Sequence, residues 1–115
     1  MKAQDAIKPG ETAVAIFTRG DRFKMRDDGS ASTGNWVLSQ RRRVDKVIIY
    51  RQNSTTREHE IFVGTPVEIV PSAEPGRRVI NLTDVRFVGS TPNDWNAFTD
   101  TKPGMINPIK YVKRR

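Results

Sequence analysis

Short apolar runs alternate with turn-forming polar segments along the chain, and the runs have the period of strands. Thr12–Thr18 (TAVAIFT) reads as the first strand. Phe23–Arg26 puts Phe23 and Met25 on one side and Lys24 and Arg26 on the other, as an edge strand or a loop over the core. Asp27–Asn35 (DDGSASTGN) is expected to be an exposed, mobile insert, and Trp36–Leu38 a short strand after it. In Val44–Arg51 the residues Val47, Ile48, Ile49 and Tyr50 are consecutive and apolar, which suits a strand covered on both faces. Asn53–Glu60 reads as a hairpin loop. Ile61–Val63 and Val67–Val70 are separated by Gly64-Thr65-Pro66, the mark of a bend or bulge where a sheet turns a corner.

Two later segments carry finer signals. In Arg77–Gly89 (RRVINLTDVRFVG), Ile80 and Leu82 share one face, while Val85 and Phe87 share a face of opposite parity. One extra residue near Thr83-Asp84 brings both pairs to the same side, so a bulge is expected there. Ser90–Thr99 predicts one or two helical turns, with Thr91 as cap, Pro92 first and Asp94 in the first turn. Trp95 and Phe98 then lie on one side, plugging an end of the sheet. Ile109–Val112 is expected to be the last strand. Turn-punctuated strands with short connections predict a mainly β fold with one or two short helices, a small antiparallel or mixed pseudo-barrel. A chain of 115 residues holds one core, so a single domain is expected over 1–115. Within it, 1–11 is a flexible lead-in, 12–112 the barrel and 113–115 a basic tail.

Composition narrows the chemistry. No cysteine occurs, which excludes disulfides, thiolate zinc sites and cysteine nucleophiles. The N-terminus has no apolar stretch of signal-peptide length, and no run approaches the ~18 apolar residues of a membrane span. A cytoplasmic protein with no membrane partner is expected. Twenty Lys and Arg oppose thirteen Asp and Glu, for a formal net charge of +7. That balance fits a polyanion partner, because cations that neutralise phosphates release counterions. A net charge of ~2–8 also serves solubility alone.

No catalytic constellation is visible, and no enzyme, cofactor or metal is expected. The single histidine, His59, sits in a charged segment (REHE) and reads as a solvent-exposed loop residue. A metal site needs several converging ligands. Asp27–Ser30 lacks the later ligands of a calcium loop and reads as a turn. The basic residues are more informative. Arg41, Arg42 and Arg43 form the densest patch beside a confident strand, and Arg77 and Arg78 open another. Arginine outnumbers lysine in the middle of the chain, and its planar fork grips phosphates and stacks on bases. Charged edges also protect sheets from aggregation. Tyr50, Phe62 and Phe87 are expected in the core. Trp95 is expected to anchor the helix, and Trp36 is either core or a stacking face for an unpaired base.

The middle of the chain resembles the PUA-like superfamily of small pseudo-barrels, which includes PUA, ASCH, EVE and YTH modules. A tryptophan segment (Gly34–Ser39) precedes Asp45–Tyr50 (DKVIIY), similar to the D-x-V-x-x-Y strand of such modules. A glycine-containing strand (Ile61–Val70) and Arg77–Gly89 follow, similar to the closing barrel strands. The likeness covers roughly Trp36–Phe98. It implies RNA binding or recognition of a modified base, with the base in an aromatic-lined pocket between barrel and short helices. The chain departs from the pattern where Asp27–Asn35 replaces N-terminal helical material. Some ASCH members hydrolyse modified nucleosides, but no catalytic set matches here.

Three functions follow in order of preference. The first is a nucleic-acid-binding module for RNA or DNA, reading an unpaired or modified base, with Arg41, Arg42, Arg43, Arg77 and Arg78 on phosphates and Trp36 stacking. The second is a small protein-interaction or inhibitor module, for example phage- or defence-related, meeting an acidic protein through the same basic surface. The third is a nucleoside-processing hydrolase.

Overall fold

The computed structural model describes residues 1–38, 43–53, 55–56, 58–102 and 107–115. The strands are β1 (Thr12–Thr18), β2 (Phe23–Met25), β3 (Ala31–Trp36), β4 (Lys46–Gln52), β5 (His59–Pro71), β6 (Arg78–Thr91) and β7 (Ile109–Lys113). Among the described residues one α-helix, α1 (Trp95–Thr99), lies between β6 and β7. The strands form a single mixed sheet in the order β2-β3-β6-β5-β4-β1-β7. Neighbours are antiparallel except β1 and β4, which run parallel.

β4 carries the fully buried run of this sheet. Val47, Ile48, Ile49 and Tyr50 are all fully buried, as their unbroken apolar run requires. Successive side chains point to opposite faces. Val47 and Ile49 join Val14, Ile16, Ile80 and Leu82 in one core, while Ile48 and Tyr50 join Ala13, Ala15, Ile61 and Phe98 in a second. The first core also takes Phe23 from β2 and is flanked by Ile109 and Tyr111 from β7. Both edge strands therefore reach one cluster, and the sheet curls around it. Among the described residues no ladder joins β2 to β7, so the curl stays open there. The second core is covered by α1 and by a 3-10 turn at Ala3–Ala6.

The bulge expected near Thr83-Asp84 is present. Thr65 pairs with Thr83 and Val63 with Arg86, so Asp84 and Val85 oppose the single residue Gly64. Asp84 takes φ 53, in the left-handed region, and Val85 returns to the core face of Ile80 and Leu82. A Cβ on Gly64 would lie 3.0 Å from Val85 Cγ2 and 3.3 Å from Leu82, which explains the glycine at this corner. Phe87 differs from expectation. It is 56% exposed and meets Phe62 only edge-on, with centroids 5.5 Å apart. Among the described residues β3 pairs with β6 no further than Leu82, so beyond the bulge no paired strand flanks β6 on that side.

Four other expectations change. Only Asp27–Ser30 of the supposed insert is turn, closed by Ser30 on Asp28 Oδ1. Ala31–Trp36 is strand between β2 and β6, with Ala31 and Thr33 buried. Its small and polar residues hide the pattern because neighbouring strands provide the apolar cover. His59 and Glu60 belong to β5, not to the loop, since His59 pairs with Gln52. The helix cap is Asp94, whose Oδ1 accepts from Ala97 N at 2.8 Å, while Thr91 is a buried strand end. The lead-in is packed: Ala3 and Ile7 are buried, and the Met1 carbonyl accepts from Asn93 Nδ2.

Candidate nucleic-acid interface

Of the nominated arginines, the described Arg43 and Arg77 line different clefts. Arg41 and Arg42 lie outside the described residues, as does Arg57. Arg43 is exposed, with its Nε on Asp45 Oδ1 at 2.9 Å. The Thr12 N–H, followed by Arg43, holds the Asp45 carboxyl below the usual carboxylate range against the cost of burial. Arg43 lines a shallow cleft with Thr12, Tyr111 and Lys113. Arg77 lies elsewhere. Its Nη1 donates to the Asn35 carbonyl at 3.0 Å and its Nε is 3.4 Å from Glu74. Arg78 is half-buried in β6 opposite Trp36 and Pro71. Arg51 and Arg86 are each 3.1 Å from a carboxylate, of Glu60 and Asp84. The Arg86–Asp84 pair is exposed, and such a pair contributes ~0–1 kcal/mol, whereas Arg51–Glu60 is half-buried.

Trp36 and Arg77 do come together. They line a cleft of about 770 Å³ with Lys110, Tyr111 and the Asn107–Ile109 segment that enters β7. Trp36 is 5% exposed, donates from Nε1 to Thr33 Oγ1 at 2.9 Å, and has the Arg22 guanidinium 5.6 Å from its ring centroid. It is a core residue that borders the cleft, not an open stacking platform.

A second cleft of about 450 Å³ is built from aromatic residues brought together by three strand ends and a helix start. Phe17 comes from the end of β1, Tyr50 and Gln52 from the end of β4, and His59 from the start of β5. Asp94, Trp95 and Asn96 come from the head of α1, and Arg19 follows β1. Tyr50 is the fully buried floor. His59 stacks on it at 4.6 Å and 24°, Phe17 at 5.7 Å and 27°, and Trp95 meets it edge-on at 5.4 Å. Phe17 and Trp95 are the half-exposed walls. The Tyr50 hydroxyl donates to the Asn93 carbonyl at 2.7 Å and so ties the sheet to the helix cap. Burial, then the negative charge of Asp94, pushes the phenol well above its ordinary value.

His59 is 8% exposed, and its Nδ1 is the one buried side-chain nitrogen or oxygen without a hydrogen-bond partner among the described residues. Burial lowers its pKa, and Asp94 partly opposes that shift. A polar surround concealed this residue in the sequence. The usable signal was parity: His59, Ile61 and Val63 alternate along β5, and Ile61 and Val63 belong to the second core.

The two clefts adjoin. Pro108 lines both, and Trp95 Nε1 donates to the Asn107 carbonyl at 2.9 Å, fixing the segment that divides them. Comparison of the chain with family models, with curated proteins and with solved structures gives no match.

Proposed function

We propose that the chain is a nucleic-acid-binding module that takes an unpaired base of a single strand into the aromatic cleft. The adjoining phosphates pass over the Arg77–Lys110 cleft. The observation that carries this reading is the contact of the two clefts at Pro108, one walled by aromatic rings and the other carrying two cations. Stacking on aromatic side chains contributes ~1–3 kcal/mol per base and needs a base free of its partner. The net charge of +7 supplies the sequence-independent attraction. A PUA-like resemblance implies the same class of ligand. The experiment is a titration at low salt with a short single strand and with duplex of equal length. The single strand binds more tightly. Binding of neither strand form overturns the reading, and so does equal binding of both.

A further inference from the structure

The aromatic cleft has a polar side as well as a stacking side, and it is asymmetric. His59 is more than nine-tenths buried, yet Nδ1 has no partner. A buried neutral imidazole carries one proton. An unpaired buried N–H is rarer in folded proteins than an under-satisfied acceptor, so the lone pair belongs on Nδ1 and the proton on Nε2. The ring then offers the cleft a donor. Asp94 offers an acceptor: Oδ1 is occupied by the Ala97 N–H, and the carboxylate has a second oxygen. Asn96 Oδ1 accepts from Thr101 Oγ1 at 3.0 Å, which leaves the amide of Asn96 as a further donor.

From this arrangement we infer that the cleft selects bases with a lactam edge, a ring N–H beside a carbonyl, as in uracil, thymine and guanine. Asp94 accepts the ring N–H and His59 donates to the carbonyl. With the ring nitrogen held against Asp94 and the sugar directed to the phosphate path, cytosine and adenine set a lone pair against the carboxylate and an amino N–H against the imidazole donor. The inference rests on the nucleic-acid-binding reading but is separable from it.

The test compares oligouridylate and oligocytidylate of one length, by fluorescence anisotropy near neutral pH. Phosphate count, sugar and ring size are matched, so electrostatic attraction cancels. The expected result is tighter binding of the uridylate strand by about tenfold, the scale of one good hydrogen-bonded pair. Asp94→Asn is the key variant. Asparagine caps a helix as well as aspartate does, so the fold is kept while a carboxylate oxygen becomes an amide donor. The uridylate preference falls to about onefold in this variant, with cytidylate binding retained or strengthened. Equal affinity of the wild type for both strands overturns the inference and leaves nucleic-acid binding standing. An unchanged preference in Asp94→Asn overturns it too. Failure to bind either strand overturns both.

Discussion

Replacing Tyr50 by phenylalanine tests how the sheet holds the head of α1. The substitution removes only the hydroxyl that donates to the Asn93 carbonyl at 2.7 Å. The ring stays on the floor of the cleft, and the half-buried Asn93 carbonyl loses its donor. A hydrogen bond of this kind contributes about 1 kcal/mol net. With an unfolding entropy of ~2.1 cal/mol/K per residue, the chain loses ~0.24 kcal/mol per kelvin near its midpoint, so Tm falls by about 4 °C. A second signature separates this from a generic packing defect. The folded phenol is held above its ordinary pKa, mainly by burial and then by Asp94. The folded state therefore keeps its proton where the unfolded state releases it. This contribution is fully present below ~10 and is lost as pH rises from there towards the folded value. Tyr50→Phe lacks it. Urea denaturation of both proteins from neutral pH to about pH 11 should show the wild type ahead by about 1 kcal/mol, the lead shrinking and reversing above ~10. A gap that stays constant through the alkaline range would refute the buried phenol. Absence of a gap at neutral pH would refute the hydrogen bond.

Above the carboxylate range, where the lowered Asp45 adds its own loss, the acid limb belongs to His59. Burial lowers its pKa, so the unfolded chain binds the proton first, and stability falls as pH drops below ~6.5 and levels off below the folded value. Denaturation midpoints of His59→Gln should lack that fall, and equal slopes in the two proteins would count against the buried imidazole. Removing the cations of the basic cleft has a different readout. Arg77→Ala with Lys110→Ala should flatten the slope of log affinity against log salt by ~1.4, at ~0.7 per phosphate contact on a single strand. A slope equal to that of the wild type would place the phosphates elsewhere.

Elements governed by local pattern were legible in the sequence. Val47–Tyr50 reads as a strand buried on both faces, and the broken parity between Leu82 and Val85 pointed to an extra residue. β3 was not legible, because Ala31 and Thr33 are buried by neighbouring strands rather than by apolarity of their own segment. His59 was misplaced because the start of β5 depends on its pairing with Gln52 across the hairpin. The aromatic cleft draws on Phe17, Tyr50, His59, Trp95 and Pro108, which are far apart in the chain. No window of sequence contains it. Of the arginine run Arg41–Arg43, only Arg43 is among the described residues. Arg43 and Arg77 line different clefts, whereas Lys110, in the last strand, shares the cleft of Arg77.

The central claim is that an unpaired base enters beside Trp95. The chain has two tryptophans, each with its indole N–H hydrogen-bonded, Trp36 to Thr33 and Trp95 to the Asn107 carbonyl. Two indole signals in a nitrogen–proton correlation spectrum therefore report on the two clefts separately. On titration with a short single strand at low salt, the account predicts a large shift of the Trp95 indole signal and a smaller one for Trp36, which borders the phosphate path. Saturable binding that leaves the Trp95 signal in place would contradict it.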